Sequence, residues 1–164
     1  MPPPVREWLW LIAGVLSYVL VAMAIGMLLA YCAVGSAHAG ELRRGELEIL
    51  ARVVQAETTG EPEAGQRAVA WTAINRMRRA PDTYGATITK VVSRAYQYAK
   101  PAPLNESSTA YLKALLATVR AVLGEGGDVS QGATHFHRCD MKRYPAWARR
   151  LQPTVRLGRH CFYK

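Results

Sequence analysis

The apolar residues of this 164-residue chain are concentrated in one long run near the N-terminus. Residues 8–34 contain no Asp, Glu, Lys, Arg or His, and no face of a helix formed by them would be polar. A helix of about 20 apolar residues spans the hydrocarbon core of a membrane, whereas a signal-peptide core usually has about 7–15 residues. The pattern therefore predicts a transmembrane or signal-anchor helix over residues 8–34, between a short N-terminus at 1–7 and a linker at 35–45.

After the linker, apolar residues recur at helical spacing. Leu47, Leu50 and Val54 lie three and four residues apart, which is the spacing of one face of a helix. Thr58-Thr59-Gly60 interrupts this pattern. A first helix is therefore predicted to end near Glu57.

Two more helices are predicted further along the chain. Pro62 suits the start of a helix that continues to Met77, and Ser107 or Ser108 caps a third helix that Gly124 closes. The third helix carries apolar residues at helical spacing: Leu112, Leu115, Leu116, Val119 and Leu123.

The C-terminal part of the chain has a different pattern. Short extended segments are predicted at residues 133–137 and 154–163, separated by a turn around Pro145. Residues 46–164 are therefore predicted to form one α+β domain, mainly helical, with a short β element at its C-terminal end.

The first helix ends on a residue with candidate chemistry. At about 100° per residue, Glu57 falls in the apolar stripe of that helix, which is about 80° wide. Burial disfavours an ionised carboxyl group, so this side chain tends to stay protonated near neutral pH. A protonated carboxylic acid can donate its proton to a glycosidic oxygen while the sugar–oxygen bond breaks. The alternative is a structural glutamate that pairs with Arg52 or Arg76.

Five blocks of residues give the chain a resemblance to a known family. They are residues 51–70 (ARVVQAETTGEPEAGQRAVA), Asn75-Arg76, Tyr96-Gln97-Tyr98, residues 132–137 (GATHFH) and residues 157–163 (LGRHCFY). In content and order they resemble the SleB-like (spore cortex-lytic) cell wall hydrolases, and they cover nearly all of the predicted domain at 46–164.

The resemblance implies a lysozyme-like fold and an enzyme that attacks the glycan strand of peptidoglycan. It implies that Glu57 is the essential acid and that neither a metal nor another cofactor is needed. It also implies a set of substrate-binding residues: Gln97, Tyr98, Thr134, His135, Phe136 and His137. Two departures affect substrate contacts, since the family usually has Ala-Arg where this chain has Thr58-Thr59, and Gln-Phe-Ser where it has Gln97-Tyr98-Ala99.

The number of carboxyl groups decides between two glycosidic reactions. Most glycosidases use two carboxyl groups, and the second candidates in this chain are Glu61, Asp128 and Asp140. A lytic transglycosylase needs only one, because the 6-hydroxyl of muramic acid attacks and a 1,6-anhydro product forms. The resemblance favours this second reaction, with cleavage between N-acetylmuramic acid and N-acetylglucosamine.

Two functions of other classes remain as alternatives. A zinc-dependent amidase, which cuts the peptide from the glycan, would need ligands from a set near the C-terminus: His135, His137, Cys139, Asp140, His160 and Cys161. The other alternative is a non-catalytic, membrane-tethered binding module, because the formal net charge is +9 and the C-terminal end is basic. No nucleic-acid-binding motif is present, so peptidoglycan and inner-membrane lipid are the expected partners.

The expected function also indicates where the protein lies in the cell and which chemistry its cysteines meet there. Because the substrate lies outside the cytoplasm, we expect a single-pass inner-membrane protein whose catalytic domain faces the periplasm. Ala37-His38-Ala39 has the form that signal peptidase recognises, so cleavage after Ala39 is the alternative, and the span also resembles the releasable signal-anchor of phage endolysins. Cys139 and Cys161 could form a disulfide in that compartment, a pairing that the sequence leaves open, and Cys32 would then be free to exchange with it on release of the span.

Overall fold

The computed structural model describes residues 22–23, 26–27 and 44–164. The chain divides into two compact units, Met1–His38 and Ala39–Lys164. Within the described part of the chain, no helix has both the length and the apolar character needed to cross a membrane. The span predicted at 8–34, the N-terminus at 1–7 and the cleavage site after Ala39 lie outside the described residues, apart from the helical pairs 22–23 and 26–27.

The second unit is mainly helical, as the sequence predicts. Its helices are α1 (Arg44–Glu57), α2 (Glu63–Arg79), α3 (Pro81–Tyr84), α4 (Ile88–Val92) and α5 (Thr109–Val122). Helix α1 begins two residues inside the segment predicted as linker and ends on the predicted acid. Helix α2 follows Pro62 in its N-cap position and forms the centre of the core, since most of its residues from Gly65 to Arg76 are buried.

Helix α5 lies where the sequence predicts it, but its leucines are not its buried face. Leu112, Leu116 and Leu123 are each about half exposed. The buried face instead consists largely of small residues, including Ala114, Ala117 and Ala121. Small side chains allow the backbone of α5 to approach α1 and α2 closely, and α5 contacts both helices.

The C-terminal part forms a three-stranded antiparallel sheet. Its strands are β1 (His135–Arg138), β2 (Pro153–Leu157) and β3 (His160–Tyr163), in the order β1-β3-β2, with a 3₁₀ turn at Ala146–Arg149 between β1 and β2. The single extended segment predicted at 154–163 is thus a hairpin that turns at Gly158, where φ is +59°. A Cβ atom at Gly158 would collide with Oε2 of Glu61, so glycine is required there for both conformation and space.

A disulfide joins Cys139 to Cys161, a pairing that the sequence alone leaves open. Cys139 follows β1, and Cys161 lies in β3 opposite His137. The bond closes the segment that contains the 3₁₀ turn and β2, and the backbone N–H of Cys139 also donates to the carbonyl of Arg159 at 2.7 Å. The disulfide therefore fixes this segment to the centre of the sheet.

Candidate active site

Glu57 is the last residue of α1, and its side chain lies beneath the segment that follows α4. Its Oε1 atom accepts a hydrogen bond from the backbone N–H of Ala99 at 2.5 Å. Two further hydrogen bonds hold that segment on α1. The Nε of Arg52 donates to the carbonyl of Ala102 at 2.7 Å, and the backbone N–H of Ala102 donates to the carbonyl of Arg52. The acid is therefore positioned by main-chain contacts between a helix end and a loop.

The surroundings of Glu57 favour its protonated form. Burial raises the pKa of this carboxyl group, while the Ala99 N–H and the positive charge of Arg76 lower it; burial is the largest effect, so the pKa is raised overall. Arg52 is engaged elsewhere, since it forms an ion pair with Glu48 at 3.3 Å. The pKa of Glu57 is thus shifted in the direction that the sequence analysis expects for a general acid.

Arg76 is the central residue of the site. It is only 4% exposed, and its Nε donates to the carbonyl of Thr134 at 2.5 Å. Its guanidinium lies over the ring of Tyr98 at 4.8 Å and over the ring of Tyr84 at 5.1 Å. Sequence reasoning considered Arg76 only as a partner for Glu57, although its presence in a family block was a signal of a larger role.

The segment around Gln97 and Tyr98 lies next to Glu57 and Arg76. The Tyr98 hydroxyl lies 3.0 Å from Oγ1 of the buried Thr72, and burial raises the pKa of this phenol. Gln97 is half-buried beside it. Tyr96 is fully exposed and adopts a positive φ of 62°, a conformation that is unusual for a bulky residue and is often found at functional sites.

The start of β1 also lies next to Arg76. Thr134 accepts from Arg76, and its hydroxyl lies 2.9 Å from Nδ1 of His135. Burial and the charge of Arg76 lower the pKa of His135 to about 4, so this imidazole is neutral at neutral pH. Tyr84 approaches the other ring nitrogen at 3.5 Å, and Trp147 packs against the ring at 5.0 Å.

The two remaining predicted residues on β1 have different environments. Phe136 lies between the site and the core, with its ring 6.0 Å from that of Tyr98 and 5.8 Å from that of Phe162. His137 is buried, and both its ring nitrogens are engaged, by the carbonyl of Arg138 at 2.8 Å and the hydroxyl of Tyr163 at 3.0 Å. The structure therefore brings Phe136 against Tyr98 but surrounds His137 with structural contacts.

The three other candidate carboxyl groups have partners of their own. Glu61 has a side chain that is 2% exposed, and it accepts from both the backbone and the guanidinium of Arg159. Burial alone would raise the pKa of Glu61, but these hydrogen bonds outweigh it and the pKa is lowered. Asp128 accepts from Asn75, Ser130 and Gly132. Asp140 is exposed and pairs with Arg138 at 2.5 Å.

Four of the six candidate zinc ligands are occupied by other contacts. Cys139 and Cys161 share a disulfide, Asp140 is paired with Arg138, and His137 uses both ring nitrogens in hydrogen bonds. In the described part of the chain, no group of three or more His, Cys, Asp or Glu side chains is arranged to hold a metal ion.

Comparison with known proteins identifies the family. The profile of the family described as Cell Wall Hydrolase matches residues 60–163, beginning three residues after Glu57. The crystal structure of the catalytic domain of the Bacillus cereus SleB protein is similar with a TM-score of 0.60 and 24% identity, over 74% of this chain and 91% of that chain. No curated protein matches the chain.

A second solved structure agrees with the first. The catalytic domain of the germination-specific lytic transglycosylase SleB from Bacillus anthracis has a TM-score of 0.60 and 23% identity, over 75% of this chain and 97% of that chain. These likenesses confirm the predicted mainly helical fold with a small antiparallel sheet. Because the family profile covers more than half of the sequence, the chain belongs to the cell wall hydrolase family and is a peptidoglycan-degrading enzyme.

Proposed function

We propose that this enzyme cleaves the glycan strand of peptidoglycan between N-acetylmuramic acid and N-acetylglucosamine as a lytic transglycosylase, with Glu57 as its single acid. The observation that carries the proposal is the half-buried carboxyl group of Glu57, whose pKa is raised, while Glu61, Asp128 and Asp140 are all engaged by other partners. The relative from Bacillus anthracis is described as a lytic transglycosylase, which supports the same reaction.

The contacts of Glu57 suggest which of its two oxygen atoms carries the proton. Oε1 accepts the Ala99 N–H, so the proton is carried by Oε2 and is available to the leaving glycosidic oxygen. After that transfer, the Ala99 N–H and the charge of Arg76 stabilise the carboxylate. The C6 hydroxyl of the muramic acid then forms the new bond to C1 of the same sugar. Its proton returns to Glu57, which restores the acid.

The residues on both sides of Arg76 are the proposed contacts of the sugars. Tyr98 and His135 offer ring faces and edges to pyranose rings, and Gln97 and Thr134 offer hydrogen-bonding groups. Nδ1 of neutral His135 is already 2.9 Å from the Thr134 hydroxyl, so we propose that Nε2, whose contact with the Tyr84 hydroxyl is long at 3.5 Å, hydrogen-bonds to a sugar hydroxyl or acetamido group. The ring of Phe136 packs against that of Tyr98. We propose that the buried His137 affects substrate binding indirectly, because its hydrogen bond to Tyr163 holds in place the strand that carries His135.

The products of digestion test the reaction. Purified peptidoglycan digested by the protein is expected to yield fragments that end in 1,6-anhydro-muramic acid, lighter by one water than the reducing ends that a hydrolase leaves, as read by mass spectrometry. Reducing ends would contradict the transglycosylase and indicate that water is the nucleophile. Release of free peptide would instead indicate the amidase.

We propose further that residues 8–34 anchor the enzyme in the inner membrane, with the catalytic domain in the periplasm as in a signal-anchor endolysin of a phage. The long uncharged segment and the net charge of +9, which favours anionic lipid and cell wall, support this proposal. The full chain is expected in the membrane fraction after alkaline extraction, and a chain lacking residues 8–34 in the soluble fraction. Recovery of the full chain in the soluble fraction would contradict anchorage.

A further inference from the structure

A pocket separate from the candidate active site lies beside the end of α1. It has a volume of about 330 Å³ and lies between the turn that follows α1, the start of α2 and the start of α5. The residues that line it include Gln55, Thr59, Gln66, Thr109, Ala110 and Lys113. A second hollow of about 280 Å³ shares Gln66 and Lys113 with it and extends toward Leu116.

Two hydrogen-bond acceptors in this pocket have no partner. The Oε1 atoms of Gln55 and Gln66 are buried, and neither accepts a hydrogen bond from any residue in the described part of the chain. Gln66 is only 9% exposed, and its amide orientation is fixed because its Nε2 donates to the carbonyl of Glu61 at 3.1 Å. Buried acceptors cost folding free energy when they stay unpaired. Both oxygens are covered in the free protein, so a ligand that brings N–H donors gains these acceptors only by displacing the atoms that cover them.

The position of the pocket relative to Glu57 indicates which part of the substrate reaches it. Gln55 lies in the last turn of α1, two residues before Glu57, which places it about 160° from Glu57 around the helix axis. The pocket is therefore on the opposite side of the helix end from the acid, at a distance of about one helix diameter, roughly 10 Å. A group that reaches it must branch away from the glycan rather than continue along the strand.

We infer that this pocket binds the stem peptide that branches from muramic acid, an inference that rests on the function proposed above. A stem peptide offers backbone N–H groups at regular intervals, which match the oxygen atoms of Gln55 and Gln66. It also carries free carboxylates, which match the exposed ammonium group of Lys113 at the rim. Ala110 and the methyl group of Thr59 provide apolar surface for its alanine side chains.

Binding and kinetics together test this inference on the full chain in mild detergent. The E57Q protein is titrated with a soluble stem peptide, and the active protein is assayed on glycan strands with and without their peptides. Lys113→Glu and Gln55→Leu are each expected to weaken peptide binding about tenfold and to lower the ratio of kcat/KM on peptide-bearing over peptide-free strands by a similar factor. Lys142→Glu makes the same charge change at an exposed position that does not line the pocket, and is expected to leave both values unchanged.

The outcomes separate this inference from the proposed function. If the active protein forms anhydro ends with equal efficiency on both kinds of strand, the peptide pocket is refuted while the transglycosylase stands. Failure of the peptide to bind, or equal weakening by Lys142→Glu, would also refute the pocket. Competition for the pocket by a peptide-free N-acetylglucosamine oligomer, abolished by Gln55→Leu, would assign it to an acetamido group and overturn the inference.

Discussion

Glu57→Gln is expected to lower the rate of peptidoglycan cleavage by about 10³-fold or more, because general acid catalysis contributes about 10²–10⁴-fold and the other three candidate carboxyl groups, Glu61, Asp128 and Asp140, have partners of their own. Glutamine keeps the size of the side chain and the oxygen that accepts from Ala99. The substitution therefore removes the proton without moving the loop. The measurement is the initial rate of solubilisation of purified peptidoglycan.

The same substitution is expected to increase the stability of the folded protein, by an amount that depends on pH. Because the pKa of Glu57 is raised on folding from its usual value of 4.5, the folded protein holds this proton more tightly than the unfolded chain. The contribution of Glu57 to stability is therefore full below pH 4.5 and declines as the pH rises through its folded pKa. Glutamine is neutral throughout, so Glu57→Gln is expected to raise Tm at about pH 8 and to lose this advantage at about pH 4.

A matched control is available in Glu125→Gln. Glu125 is more than half exposed and forms only a surface ion pair with Arg120 at 3.5 Å. Its removal is expected to change neither the cleavage rate nor the pH dependence of Tm. Retention of more than about a tenth of the activity in Glu57→Gln would contradict the role of Glu57 as the acid.

Removal of the disulfide is expected to have the largest effect on stability. Cys139 and Cys161 are 22 residues apart, and closing a loop of that size stabilises a domain by about 3 kcal/mol. The double substitution Cys139→Ser and Cys161→Ser is therefore expected to lower Tm by roughly 10 °C in this domain. The closed loop carries Trp147, which packs against His135, so activity is expected to fall at temperatures below the new Tm.

Reduction provides the control for this prediction. In a Cys32→Ser background, reducing agent is expected to lower the Tm of the protein that retains both cysteines to that of the double variant. It is expected to have no effect on the double variant itself. An unchanged Tm in both tests would mean that the bond contributes nothing to stability in solution.

The sequence was sufficient to place Glu57 at the end of a helix with a buried face because that signal is local. Leu50 and Val54 are fully buried, and the helix that they define ends at Glu57. Trp71 is also buried, as expected of an aromatic residue within a core helix. A helical pattern depends on residues three and four positions apart, so it survives without knowledge of the tertiary structure.

Other features could not be predicted because they depend on long-range contacts. The burial of Arg76 between Tyr84, Tyr98 and Thr134 joins three separate parts of the chain. The buried face of α5 was also not evident, since large apolar residues such as Leu112 dominate the pattern while small ones make the contact. The hairpin at Gly158 depends on Glu61, almost a hundred residues earlier.

The side chain of Glu57 is held by the backbone N–H of Ala99, and this has a consequence for how the sequences of related enzymes diverge. Every residue except proline carries a backbone N–H, so position 99 can drift among nineteen amino acids without loss of that hydrogen bond. The serine usual in the family and the alanine of this chain are therefore equivalent in this respect. A comparison of side chains alone would rank position 99 as unimportant, although its backbone N–H donates to the carboxyl group of the proposed acid.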